Sequence, residues 1–248
     1  MALLFNTDSK SLRALRATTL AAALGLSAFA LSACGDKAAT SSASSGASEF
    51  EVAGDHAIGN PDAKVTIVEY ASVVCGHCAN WHETVYPELK KNYIDTGKVR
   101  FIFREFPTAP ESLARTGFLI ANCAPETKFF DNISLQFKRQ KQVFKAASNG
   151  TVREEYVNIA KSAGLSEEAF IECLGNEEEN ARYDAVVQGG IDAGVMGTPA
   201  FFINGVKTKN APSGKPVYSF ETFQEVISPL LGEAVPKADT DSANSETP

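Results

Sequence analysis

The sequence is poor in the residues that assemble metal centres: its 248 residues include five cysteines and three histidines. A structural zinc site uses about four ligands, so each Cys and His can be weighed singly. It also lacks any run of basic residues. Its 30 acidic residues outnumber 23 basic ones and set the net charge at −7. An acidic chain without a basic patch is a poor partner for nucleic acid. No apolar run reaches the roughly 20 residues of a comfortable membrane span, and there is no internal repeat. Apolar material is not scarce, however. Hydrophobic residues make up 44% and charged residues 21% of the chain, which excludes a wholly disordered protein.

The start of the chain is organised for export. Lys10, Arg13 and Arg16, against Asp8 alone, precede a short apolar stretch from Thr18 to Leu31 that ends in small residues; this is the pattern of a signal peptide over residues 1–33. Without that segment's 3 basic and 1 acidic residues, the remainder carries 20 basic against 29 acidic groups, or −9. Leu31-Ser32-Ala33-Cys34 resembles the bacterial lipobox, in which the Cys becomes the lipidated N-terminus. Cleavage after Ala28-Phe29-Ala30 is the alternative and leaves Cys34 a spare thiol. Residues 34–50, rich in Ala, Ser and Thr, read as a flexible tether, and residues 232–248 as a disordered tail. The lipobox implies a lipid anchor on the periplasmic face of a bacterial membrane, and Gly35 in place of Asp after the Cys points to the outer one. About 180 residues remain between Glu51 and Leu231, enough for a proper core.

Within that unit, Val65–Tyr70 is a β-branched run behind the turn-forming Gly59-Asn60-Pro61-Asp62, and predicts a buried strand. A helix is expected from Cys75 to Tyr93, bent at Pro87 and stopped by Asp95-Thr96-Gly97. Val99–Phe106 predicts a second strand. Helical spacing then holds from Glu111 to Val195, with Thr151 and Glu154 as a capping box and Ser166 as an N-cap. Ala200–Ile203 predicts a strand turned back by Asn204-Gly205. A last helix from Ser219 places Phe220, Phe223, Ile227 and Leu230 on one face. The order is β-α-β, a helical block, then β-β-α, an α/β arrangement.

Chemistry concentrates at Cys75-Gly76-His77-Cys78, after a strand and opening a helix, in a chain bound for an oxidising compartment. Two cysteines three apart at a helix start can close a small disulfide ring. The first lies where unpaired backbone N–H groups and the positive helix end stabilise a thiolate. A free thiol of pKa about 8.5 is only about 3% ionised at pH 7, so lowering that value makes it both nucleophile and good leaving group. His77 can add a donor or a positive charge. A c-type haem site fails, because residue 79 is Ala rather than His. Zinc held by the pair with His77 and His82, and a purely structural disulfide, are the other readings. Glu69 alternates with Val65 and Ile67, which places a carboxylate on an apolar strand face; a turn of that face to solvent near the strand end is the alternative. The remaining histidines, His56 and His82, read as surface or internally satisfied side chains, and Trp81 as packing near the pair.

Together these residues resemble a known family. The strand–CxxC–helix start and Thr198-Pro199 before the Phe-Phe-Ile strand resemble the thioredoxin fold, and the long helical insertion resembles the DsbA-like thiol-disulfide oxidoreductases. Ile58–Val65, Phe103-Arg104-Glu105-Phe106-Pro107 and Gly197–Gly205 extend the likeness across the folded unit. The resemblance implies a thioredoxin-like domain from residues 51–108 and 196–231, with an inserted helical domain over 109–195. It implies that Cys75 is the nucleophile and Cys78 the buried resolving thiol. By the same likeness Pro199 is a cis-proline at the substrate groove, Thr198 tunes redox behaviour and substrate release, and Glu69 exchanges a proton with Cys78. Cys123 and Cys173 are left over as an even pair; some DsbA-like proteins carry a second disulfide in this insertion, and two buried thiols are the alternative. Bridging a loop of about 50 residues would stabilise the fold by roughly 4 kcal/mol.

The implied activity is disulfide donation to unfolded exported proteins, with no cofactor beyond the Cys75–Cys78 pair and no metal. Reoxidation by a DsbB-like, quinone-linked membrane oxidase is implied with it. An isomerase or reductase on the same fold is the rival within the class. A binding lipoprotein that keeps the fold as a scaffold is the rival outside it.

Overall fold

A computed structural model describes residues 50–236. The signal peptide, the lipidation site Cys34, most of the tether and most of the tail lie outside these residues. Five strands form one mixed sheet in the order β1-β3-β2-β4-β5. They are β1 (His56–Ile58), β2 (Val65–Ala71), β3 (Val99–Glu105), β4 (Ala200–Ile203) and β5 (Val206–Lys207). The central β2 runs parallel to β3, with Val65 opposite Val99, and antiparallel to β4, with Glu69 opposite Phe201. All seven residues of β2 are buried, which is why it opens on four consecutive β-branched residues, Val65 to Val68, rather than alternating cleanly.

Among the described residues eight α-helices accompany the sheet. Between β2 and β3 lie α1 (Gly76–Thr84), α2 (Tyr86–Leu89) and a π turn (Lys90–Ile94). The expected single helix therefore breaks at Val85, and Pro87 falls in the first turn of α2, where its missing N–H costs nothing. Gly97, at φ 75°, closes the segment where Asp95-Thr96-Gly97 was expected to. The insertion consists of α3 (Glu111–Cys123), α4 (Phe129–Asn149), α5 (Val152–Ser162), α6 (Glu167–Leu174) and α7 (Glu177–Asp192), and α8 (Phe220–Leu231) ends the fold.

The core divides by strand face. Val65, Ile67 and Ala71 join Trp81, Phe101, Phe103, Phe201 and Phe223 in the main cluster, while Val68 and Tyr70 pack on the opposite side with Ile102 and Val195. A satellite core within the insertion gathers Ile120, Tyr156, Ile159 and Phe170. Cys123 and Cys173 are joined by a disulfide between α3 and α6, 50 residues apart in sequence.

Two expectations need correction, and one strand carries no sequence signal. Thr151 makes no side-chain cap: at φ −110° and ψ 21° it is not extended. Its amide is drawn back to Ala146 by the tight link from α4, so the hydroxyl cannot reach the N3 amide that a capping box requires. Ser166 does cap α6, accepting from Ala169. Leu230 is 45% exposed, whereas Phe223 and Ile227 are fully buried; in the last turn of α8 it is Leu231 that packs against the main core. Finally, β1 was not foreseen. It pairs antiparallel with β3 for only three residues, His56 opposite Phe103, too few to show a period. The ring of His56 stacks on Phe129 with its centroid at 3.5 Å and bonds Asn122.

Candidate active site

Cys75 is the N-cap of α1, with extended backbone at φ −86° and ψ 120°. The turn that delivers it is fastened from several sides. The Cys75 amide donates to Ser72 O at 2.9 Å, and the Ser72 hydroxyl accepts from Val74 N and Thr108 N. From the insertion, Gln140 Nε2 donates to Val73 O at 2.9 Å. No acidic residue occupies the first turn of α1, so nothing opposes an anion at its N-terminus.

The two cysteines differ sharply. Cys75 is half-buried and Cys78 fully buried, both as free thiols. The Cys78 thiol, first, holds the Cys75 thiol down to about 5; the Thr198 side chain and the backbone amides of Cys78 and His77 add to this, against desolvation. For Cys78 the direction reverses: burial pushes its thiol well up, helped by the neighbouring Cys75 sulfur and the Glu69 carboxylate. One sulfur is therefore built to be a thiolate and the other to keep its proton. His77 contributes through its backbone amide, while its imidazole is exposed and lines a cavity beside the pair.

The Thr198–Pro199 peptide is cis, and the Thr198 carbonyl accepts from Cys75 Sγ at 3.4 Å. This loop leads into β4, so the sheet itself sets the distance between the pair and Pro199. Two cavities meet at Thr198, Pro199 and Tyr218: one of about 300 Å³, which also borders His77 and Trp81, and one of about 440 Å³ along Met196 and the start of β4. Met196, Pro199, Phe201, Tyr218 and Trp81 give the walls much of their apolar surface.

Glu69 lies on the β2 face predicted for it, fully buried, behind Cys78. Its partner is the residue that the sequence left aside. His82 Nε2 meets Glu69 Oε2 at 2.8 Å, with the two side chains 5% and 0% exposed. The signal was present: Cys78 and His82 are four apart on one helix and so share its face.

The thioredoxin family model matches residues 51–227. The chain belongs to the thioredoxin family. Among the relatives of this family member are two proteins named as protein-disulfide oxidoreductases. The one from Rickettsia conorii is 35% identical over 185 residues, covering 74% of this chain and 63% of the relative. The one from Rickettsia prowazekii is 33% identical over 187 residues, covering 74% and 64%. The chain thus spans under two thirds of the length of these curated relatives. Wolbachia pipientis alpha-DsbA1 matches in structure with a TM-score of 0.64 and 27% identity, covering 76% of this chain and 96% of that one. BdbD from Bacillus subtilis matches with a TM-score of 0.62 at 21% identity, covering 73% and 95%, a likeness of fold. The family member is accordingly DsbA-like: a thioredoxin fold with a large helical insertion.

Reduced protein tests the electrostatics of the pair directly. Its alkylation by iodoacetamide is expected to follow a single titration with a midpoint near pH 5, where Cys75 deprotonates, and to be flat above about pH 7. A midpoint near the ordinary thiol value of 9.0 would refute the thiolate.

Proposed function

We propose that this chain is a thiol-disulfide oxidoreductase working as an oxidase, donating the Cys75–Cys78 disulfide to exported proteins. The observation that carries the reading is the asymmetry of the pair. The half-buried sulfur is a stabilised thiolate at a helix N-terminus, and the fully buried one keeps its proton. A client thiolate attacks Cys75 Sγ, the Cys75–Cys78 bond breaks, and Cys78 leaves and takes up a proton, with Glu69 as the buried group that exchanges it. A second client thiolate then attacks the client sulfur of the mixed disulfide and releases Cys75 as thiolate. Two electrons pass from the client dithiol to the pair, and no other cofactor is needed. Thr198 and Pro199 border the cavities where the client segment would lie.

Linkage supports the oxidising direction. The Cys75 thiol is lowered from 9.0 to about 5 in the folded dithiol. Its depressed value stabilises the reduced form fully above pH 9 and not at all below about pH 5. At pH 7 this is worth roughly 2 to 3 kcal/mol, or about 60 mV toward a more oxidising disulfide. Reoxidation would fall to a DsbB-like quinone-linked membrane oxidase. Among the described residues no helix is long and apolar enough to cross a membrane, and the proposed attachment to the periplasmic face is the lipid at Cys34.

Equilibrating the chain across glutathione ratios, with the fluorescence of the single Trp81 as readout, tests this reading. A potential of about −120 to −180 mV is expected. A value near about −270 mV, that of thioredoxin, would overturn the oxidase reading in favour of a reductase. Within the expected window, repair of a scrambled client would identify an isomerase.

A further inference from the structure

We propose that the groove beside Pro199 selects client segments that carry a carboxylate next to the reacting cysteine. This rests on the thiol-disulfide reading above and adds the charge of the substrate to it. The two cavities that meet at Pro199 include Lys207, Lys209 and His77 in their lining and no Asp or Glu. That is unexpected of a chain whose residues after the signal segment carry −9.

The lysines are placed by the sheet. β5 pairs antiparallel with β4, with Lys207 opposite Phe202, and Thr208 N donates to Phe201 O at 2.9 Å. Continuing that register sets Lys209 level with Ala200, one residue from Pro199. Lys207 ends β5 and Lys209 follows two residues on, both in the lining of the larger cavity. Among the described residues neither has a carboxylate partner. Lys207 Nζ instead reaches the carbonyl of Gly194 and lies 6.0 Å from the Phe202 ring centroid. The acids of the adjacent α8 are engaged elsewhere: Glu221 is held down first by the Ser219 side chain and Glu225 first by Ser213, with Lys215 adding a smaller charge effect to both. Two positive charges are thus left uncancelled beside the point where a client backbone would run. Met196, 88% exposed, and Tyr218, 55% exposed, border the same groove. They supply apolar contact with little shape demand, which leaves charge to discriminate among clients.

The test uses three synthetic peptides with one central cysteine, flanked on both sides by Asp, Asn or Lys and otherwise identical. Each is reacted with the oxidised chain at pH 7, and its rate is divided by that peptide's rate toward the neutral hydroxyethyl disulfide, which removes the effect of the flanks on the thiol itself. At low salt the corrected rates are expected to fall in the order Asp, Asn, Lys, with about a five-fold gap between first and second. The gap should narrow at 0.3 M salt, and in the Lys207→Gln/Lys209→Gln chain the order should collapse. Equal corrected rates, a faster Lys peptide, or an order that persists in the double variant would overturn the charge preference while leaving the oxidoreductase intact. Failure of all three peptides to react would instead remove the thiol-disulfide reading on which the preference rests.

Discussion

Cys75→Ser is expected to abolish client oxidation, a loss of roughly three orders of magnitude or more, and Cys78 is expected to rescue none of it. Cys78 is fully buried with its thiol pushed well up, so it is neither reachable nor ionised at neutral pH. The opposite variant, Cys78→Ala, keeps the reachable sulfur of Cys75 but has lost the thiol that resolves a mixed disulfide. Incubated with oxidised glutathione, it should accumulate the glutathione adduct at Cys75, while Cys75→Ser should remain unmodified at Cys78. Because the two sulfurs act as one unit, Cys75→Ser/Cys78→Ser should be no worse than the first variant alone. Insulin or a reduced exported protein followed by mass spectrometry reads all three. Full activity in the double variant would show that the pair is structural and favour the binding-lipoprotein alternative. An adduct on Cys78 rather than Cys75 would reverse the assignment of roles.

The insertion does more than enlarge the fold. Gln140 of α4 holds the Val73 carbonyl at 2.9 Å, and Phe137 of the same helix stacks on His82 with centroids 4.3 Å apart. Both contacts bear on α1, one at the turn before Cys75 and the other a helical turn after Cys78. The reacting pair is therefore clamped between a sheet that presents Pro199 and a helix of the insertion. This preorganisation keeps the Cys75 sulfur among its donors without reordering during exchange.

What could be read from the sequence follows the range of each signal. The helix start at Cys75, the acid on the inner face of β2 and the turn at Asn204-Gly205 are local, and strand alternation or turn chemistry carries them. The positive φ values of Asn204 and Gly205, 46° and 74°, are those that an Asn-Gly hairpin demands. For Cys123 and Cys173 the sequence offers only an even leftover pair and a family resemblance, with two buried thiols as the alternative; the approach of α3 to α6 decides for the disulfide. Features set by tertiary approach were not legible. β1 exists because β3 has a free edge, rather than from any pattern of its own. Thr151 lost its cap because α4 ends two residues earlier. Lys207 and Lys209 look like ordinary surface lysines until β5 is laid against β4 beside Pro199. His82 is the intermediate case, its helix face predictable and its partner not.

That partner makes the second large effect. His82→Phe should destabilise the fold by roughly 3 to 5 kcal/mol, lowering the Tm by about 10 °C for a domain of this size. The ring of His82 lies among Phe137, Tyr86 and Phe103, so phenylalanine preserves the aromatic packing and removes only the polar contact. Glu69 then loses the hydrogen bond to Oε2, its other oxygen being already without a partner. A carboxylate in the core cannot recover that bond from solvent. Adding Glu69→Leu removes the stranded acid, and Glu69→Leu/His82→Phe should regain most of the lost stability, because replacing both members of a buried pair by apolar groups is close to neutral. Thermal unfolding followed by circular dichroism, with the cysteines held in one redox state, gives the coupling through a double-mutant cycle. If the double variant were as unstable as the sum of the singles, the bond between Glu69 and His82 would carry no stability and the cost would be one of packing. If the pair is coupled, the cost of seating an acid behind Cys78 is offset by a single imidazole, and the acid can be kept beside the buried thiol only while His82 is there.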